Sequence, residues 1–115
     1  MKNIPIVFCF NNTFSLAAWV SIKSLIYTAD NNKTIYSIYI LYDNLNEKNI
    51  FNLKELVSKN RHSVTFINVK SILKKIKVIK KVNFWPQIIF ARLFIPEILK
   101  QDKVIYSDVD VIFKK

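Results

Sequence analysis

Short apolar runs alternate with longer segments of helical periodicity along most of the chain. The runs are rich in β-branched and aromatic residues, as strands buried within a sheet are. The first intervening segment is apolar almost all round, which predicts a largely buried helix, whereas the second has one polar side. The pattern predicts strands near residues 4–10, 36–42, 64–69 and 103–107, and helices near residues 14–28, 46–59 and 87–95.

The order of these elements predicts an α/β fold. A helix-length connection separates each of the first three strands from the next, as parallel pairing requires. We therefore expect a mostly parallel sheet with helices on both faces. A chain of 115 residues corresponds to one domain or to part of one.

Polar residues mark the ends of several elements. Asn12 or Thr13 is expected to cap the first helix and Asn46 the second, because short polar side chains accept hydrogen bonds from free backbone N–H groups. Residues 30–32 are expected to form a turn.

The stretch between the third strand and the third helix has two interpretations. Apolar residues and lysines of Ser71–Val82 form opposite helical faces. This helix either lies on an anionic membrane surface or exposes a solvated lysine face. Pro86 suits the first turn of the next helix, and Pro96 should break or kink that helix near Ile95.

Composition narrows the classes of function. The net charge of +10 would suit nucleic acid or an anionic membrane. However, only Arg61 and Arg92 carry the guanidinium that base and phosphate recognition favours, so we expect no nucleic-acid partner. The chain contains no glycine, which excludes a P-loop and a glycine-rich dinucleotide fingerprint.

The compartment is predicted from the apolar runs and the cysteine content. No run reaches the roughly 18 residues of a membrane helix. Cys9 is the single cysteine and cannot form an internal disulfide, which favours a reducing compartment. We expect a cytoplasmic protein, and the basic segment leaves open a peripheral contact with the anionic inner membrane. His62, in a polar loop, is expected to be exposed.

Two aspartates one residue apart interrupt the last apolar run, YSDVDVIF. On an extended strand, Asp108 and Asp110 would share a face and Val109 would take the other. Like charges this close disfavour joint ionisation, which a cation between them relieves. Oxygen ligands suit Mg²⁺ or Mn²⁺ rather than zinc. The alternative is that D-x-D, a common tripeptide, marks only a turn.

Two blocks of sequence resemble glycosyltransferase family 8. The specific block is FARLFIPEIL followed by DKVIYSDVDVIF, and the opening IPIVFCFNNTFSLAAWVSIKSL is similar to the family's first strand and nucleotide-binding turn. The resemblance implies a Rossmann-like GT-A fold, of which this chain would be the N-terminal, donor-binding portion. It also implies retaining transfer of a hexose from a UDP-sugar, with Mn²⁺ or Mg²⁺ as cofactor. A bacterial surface glycan or glycolipid such as lipopolysaccharide would be the acceptor.

The resemblance assigns roles to individual residues. Asp108 and Asp110 match the metal-binding pair. Arg92 matches a helical arginine that points at the donor sugar, and Lys103 matches a lysine that opens the strand near the donor. Val109 would lie against the nucleoside.

The predicted nucleotide-binding turn departs from the family pattern. Asn11 and Thr13 stand where the family has an aspartate that holds uracil and, two residues later, an asparagine. The amide oxygen of Asn11 can still accept from uracil N3–H, without the strength of a charged acceptor. Cys9 precedes this turn, and its backbone could face the base.

Other classes of function stay open. The chain could be a basic module that binds a membrane or nucleic acid through Lys70–Lys81, or a truncated relative without catalysis. Binding of UDP with Mn²⁺ would separate the enzyme from the first alternative, and turnover would separate it from the second.

We predict that residues 1–115 alone bind a UDP-sugar weakly at best and transfer no sugar. By the resemblance, a third metal ligand, a histidine, and most of the acceptor pocket lie far downstream of D-x-D. The last strand should also leave an apolar surface exposed, which makes the isolated chain marginally stable or prone to associate. Glycosylated product formed by the purified monomeric chain would contradict this prediction.

Overall fold

The strands form one parallel sheet, as predicted. The computed structural model describes residues 2–29, 33–74 and 87–114. Within these residues the strands are β1 (Lys2–Cys9), β2 (Thr34–Tyr42), β3 (Ser63–Asn68) and β4 (Ile105–Tyr106). Their order in the sheet is β3–β2–β1–β4, and every neighbouring pair is parallel.

Helices cover both faces of the sheet, which confirms the predicted architecture. They are the 3₁₀ turn Asn12–Phe14, α1 (Ser15–Thr28), α2 (Glu47–Ser58), α3 (Lys70–Leu73), the 3₁₀ helix Gln87–Phe94 and α4 (Ile95–Ile98). The change from 3₁₀ helix to α4 agrees with the interruption predicted near Ile95. Pro96 is accommodated there because the first turn of a helix does not need its missing N–H.

Side chains of β1 alternate between two hydrophobic cores. Ile6 and Phe8 face the α1–α2 side, whereas Val7 faces the side of α3 and α4. All three are at most 1% exposed, so β1 is buried on both faces. The α1–α2 core also contains Phe10, Ala18, Ile22, Leu25, Ile26, Ile38, Ile40, Leu45, Leu53 and Val57. The opposite core also contains Leu41, Val69, Leu73, Ile88, Ala91, Ile95 and Leu99.

The prediction that α1 is largely buried is wrong. Its outer side presents Leu16, Val20 and Tyr27, which are 76%, 40% and 84% exposed. A helix that packs on a sheet turns only one side toward it, so apolar residues on the other side stay in contact with solvent.

The two predicted helix caps have different outcomes. Asn46 is confirmed as the cap of α2, because its Oδ1 accepts a backbone N–H three residues further on, at 2.9 Å. Neither Asn12 nor Thr13 caps α1. A 3₁₀ turn precedes α1, in which Phe14 N–H donates to the Asn11 carbonyl at 3.1 Å. The Oδ1 of Asn12 instead accepts the backbone N–H of Asn46 at 2.8 Å.

Several predictions lie outside the described residues. These are the turn at 30–32, the position of Pro86 and the basic helix beyond residue 74; α3 is the described start of that segment. No helix in the described part of the chain is long and apolar enough to cross a membrane.

His62 is buried, which corrects the expectation of an exposed side chain. It is 7% exposed and precedes β3, at the amino edge of the sheet. Its Nδ1 accepts the backbone N–H of Tyr36 at 2.9 Å, and the two rings pack 5.4 Å apart. Burial, and then the charge of Arg61, lower the pKa of His62 from its usual 6.5.

We predict that protonation of His62 destabilises the fold below about pH 6.5. The unfolded chain binds the proton more readily than the folded one, so stability is lost as pH falls from the unfolded pKa through the lowered folded pKa. A protonated Nδ1 would also face the Tyr36 N–H as a second donor. The melting temperature of the wild type should therefore drop between pH 7.5 and pH 5.

The matched control is His62→Asn. Its Oδ1 can accept from Tyr36 at a similar position but does not titrate. Its melting temperature should fall less over the same pH range, and an equal fall in both proteins would contradict the assignment to His62.

Candidate functional site

The carboxyl ends of β1 and β4 meet at one edge of the sheet. Val7 pairs with Tyr106, and continuing this register beyond the strands brings Asp108 level with Cys9. Asn11 lies two residues after the end of β1. Polar residues from separate segments therefore gather at the carboxyl edge, where open α/β sheets bind ligands.

The two aspartates lie in and beside a turn rather than on an extended strand. Ser107 N–H donates to the Val7 carbonyl at 3.0 Å, and Val109 and Asp110 then turn. The expected strand geometry is wrong because regular pairing of β4 stops at Tyr106. Both aspartates are nevertheless exposed.

The segment that follows the aspartates is attached to α1. Val109 and Phe113 pack against the α1–α2 core. Phe113 N–H donates to the hydroxyl oxygen of Ser24 at 2.9 Å. Val109 is thus half-buried between two exposed aspartates, so its predicted contact with a nucleoside stays a prediction.

A group of titratable side chains surrounds Tyr106. Burial raises the pKa of its phenol, and the nearby Cys9 and Asp108 raise it further. Arg92 is close enough to oppose this rise. Burial also raises the pKa of the Cys9 thiol to about 12, again against the charge of Arg92. The predicted donor-binding arginine, one predicted metal ligand and Cys9 are therefore neighbours.

Asn11 connects the end of β1 to the end of β2. Its Oδ1 accepts the backbone N–H groups of Asp43 and Asn44, each at 3.0 Å. Its Nδ2 donates to the Asp43 carboxylate. These bonds use both lone pairs of the amide oxygen and leave none for the predicted contact with uracil N3–H. The second hydrogen of Nδ2 keeps Asn11 available to a ligand as a donor.

Thr13 lies near the carboxyl edge of the sheet, whereas Lys103 lies away from it. Thr13 is exposed in the 3₁₀ turn after β1. Lys103 is exposed ahead of β4, five residues before Asp108. At about 3.3 Å per residue in a strand, that is roughly 16 Å toward the opposite edge. The structure does not bring Lys103 to the aspartates, and its contact with a donor stays a prediction.

The possible metal ligands at this edge are carboxylate oxygens. Within residues 2–29, 33–74 and 87–114, no group of three or more His, Cys, Asp or Glu side chains is placed to hold a metal. His62 lies at the opposite edge. Two exposed carboxylates fit a hard divalent ion whose other ligands are phosphate and water oxygens.

Asp43 and Tyr106 belong to this edge although neither was predicted to. A signal existed for Asp43, because it directly follows β2, and Asp108 similarly comes two residues after the end of β4. The neighbours of Tyr106 on β1 depend on the register between β1 and β4, which periodicity alone does not determine.

Comparison with known proteins identifies the family. Residues 5–115 match glycosyl transferase family 8. The chain belongs to this family. A search of curated proteins found no match.

Solved glycosyltransferase structures share the fold, which confirms the GT-A prediction. The bifunctional glycosyltransferase WbbM, in its apo structure, gives a TM-score of 0.78 at 27% identity, over 95% of this chain and 19% of its own. The galactosyltransferase LgtC, in complex with donor and acceptor sugar analogues, gives a TM-score of 0.78 at 22% identity. The match covers 96% of this chain and 39% of LgtC. Mouse xyloside xylosyltransferase 1, in its apo form, gives a TM-score of 0.66 at 15% identity. The match covers 99% of this chain and 45% of that protein. The family 8 chain thus spans less than half the length of each.

We predict that the Cys9 thiol reacts slowly with alkylating agents at pH 8. With a pKa of about 12, only a small fraction is thiolate, whereas an ordinary thiol with a pKa near 8.5 is substantially ionised. Alkylation by iodoacetamide, followed by mass spectrometry, should be at least about 100-fold slower than in the urea-unfolded chain. Equal rates would show that the thiol is neither buried nor protonated.

Proposed function

We propose that this chain is the donor-binding part of a retaining, UDP-sugar-dependent hexosyltransferase. The observation that carries the proposal is the pair of exposed aspartates at the carboxyl edge of a family 8 sheet. In the proposed reaction the bond between the sugar and the diphosphate breaks. A new bond joins the same sugar carbon to the oxygen of an acceptor hydroxyl, whose proton passes to the departing diphosphate or to solvent, and UDP leaves.

Asp108 and Asp110 are the proposed ligands of Mn²⁺ or Mg²⁺. Their oxygens match the preference of hard divalent ions, and their exposure leaves room for phosphate and water. When bound, such an ion offsets negative charge on the departing diphosphate.

The other residues at the edge bind and orient the donor. Arg92 lies beside Tyr106 and Cys9, from where its guanidinium can donate hydrogen bonds toward the sugar. Cys9, Asn11 and Thr13 lie at or after the end of β1 and are the proposed nucleotide contacts, together with Val109. Lys103 lies ahead of β4, toward the other edge, and its proposed contact with the donor rests on the resemblance.

The acceptor is proposed to be a bacterial surface glycan or glycolipid such as lipopolysaccharide. A sequence rich in lysine, isoleucine and asparagine suits an AT-rich bacterial genome, and bacterial members of the resembled family build such glycans. The proposed location is the cytoplasm, where a free Cys9 stays reduced. A peripheral contact with the inner membrane through the basic segment would bring the enzyme to a lipid-linked acceptor.

We predict that Asp108→Asn or Asp110→Asn weakens Mn²⁺-dependent binding of UDP at least tenfold, about 1.4 kcal/mol. Each change removes a charged ligand from the proposed metal site. Calorimetric titration with UDP at a fixed Mn²⁺ concentration measures the effect, and a chelator should reduce wild-type affinity to a similar extent.

Asp102→Asn is the charge-matched control. Asp102 is exposed ahead of β4, away from the carboxyl edge, so its loss should leave UDP affinity unchanged. Wild-type affinity in both aspartate variants, or no effect of the chelator, would show that Asp108 and Asp110 are not metal ligands.

A further inference from the structure

The orientation of the Asn11 amide is fixed by its partners. Two backbone N–H groups, from Asp43 and Asn44, point at the same side-chain atom from 3.0 Å. An amide nitrogen cannot accept a hydrogen bond, so that atom is the oxygen. The NH₂ group then faces the Asp43 carboxylate, to which it donates.

This arrangement moves the available acceptor from Asn11 to Asp43. A carboxylate has about four lone-pair positions, and the bond from Asn11 occupies one of them. Asp43 is half-buried and immediately follows β2. It therefore combines a fixed position with free acceptor capacity at the carboxyl edge.

Asp43 also lies at a suitable distance from the aspartate pair. β1 lies between β2 and β4, so two strand spacings, about 10 Å, separate Asp43 laterally from Asp108. A nucleoside diphosphate whose phosphates lie at Asp108 would extend across the end of β1 and bring its base toward Asp43.

We propose, as a refinement that rests on the donor-binding function above, that Asp43 selects the base of the donor and that Asn11 positions its carboxylate. The carboxylate would accept the N3–H of uracil. Cytosine carries a lone pair at N3, which the carboxylate repels. Asp43 would thus restore, from the neighbouring strand, the charged acceptor that Asn11 lacks.

The test is a comparison of UDP with CDP in the presence of Mn²⁺, by NMR titration of the wild type, Asp43→Ala and Asp43→Asn. The wild type should prefer UDP at least tenfold, and Asp43→Ala should reduce this preference to threefold or less. In Asp43→Asn the new oxygen can accept from Asn11 while the new NH₂ faces the base. That variant, which keeps the bond to Asn11, should shift the preference toward CDP.

Glu47→Ala is the control for charge. Glu47 is an exposed carboxylate in the first turn of α2, close along the chain to Asp43, and its loss should leave the UDP-to-CDP ratio unchanged. Circular dichroism would verify that each variant is folded.

The possible failures are distinguishable. Because binding to this chain is expected to be weak, the titration extends to millimolar nucleotide. If the wild type binds neither nucleotide even there, the proposed donor-binding function fails, and the role of Asp43 fails with it. If the wild type binds UDP but both Asp43 variants keep its preference, or lose affinity for both nucleotides equally, only the role of Asp43 is overturned. An equal change in Glu47→Ala would also overturn it, because the effect would then follow charge rather than position.

Discussion

The candidate site depends on the burial of β1 between two helical layers. Val7 and Phe8 point to opposite faces of the sheet, and both are fully buried. A shift of one residue in register would exchange these faces and expose the wrong set of side chains to each core. Core packing therefore determines which residues of β2 and β4 lie level with Asn11 and Cys9. The pairing of β1 with β2 and β4 therefore determines both the core of the fold and the residues that meet at the carboxyl edge.

The sequence alone was sufficient to predict the features that repeat along the chain, which are the strands and the helices between them. Connection length predicted parallel strands, and periodicity predicted both helical layers. Because Asp108 follows an apolar run, it was expected at the end of the last strand. The features that could not be predicted depend on contacts between distant residues. Asn12 satisfies the start of α2 rather than α1, and His62 meets Tyr36 across 26 positions of sequence.

In the D-x-D segment, the alternation of side chains between the two faces of a strand no longer predicts where each side chain points. Alternation holds only while a strand stays paired, and regular pairing of β4 is confined to Ile105 and Tyr106. Beyond that point the turn determines where each side chain points. The outcome, two exposed aspartates around a half-buried Val109, resembles the predicted one, although packing on the α1–α2 core produces it.

A chain without glycine has to build its loops by other means. Among the described residues, Arg61 has a positive φ, 55°, where glycine would be the usual residue. At the carboxyl edge, asparagine side chains hold the loops in place by accepting backbone N–H groups. Asn11 and Asn12 bond to the loop after β2, at Asn44 and Asn46 among other partners. The result is a loop pair held by side-chain amides.

The attachment of Phe113 to Ser24 has a consequence for the entropy of ligand binding. The segment that carries both aspartates is anchored at Ser107 to β1 and at Phe113 to α1. A loop closed at both ends samples fewer conformations than a free one, because the cost of bringing its ends together has been met during folding. Less disorder then remains to be lost when a ligand organises the two carboxylates. Preorganisation of this turn therefore originates in part in the hydroxyl of Ser24, in the middle of α1.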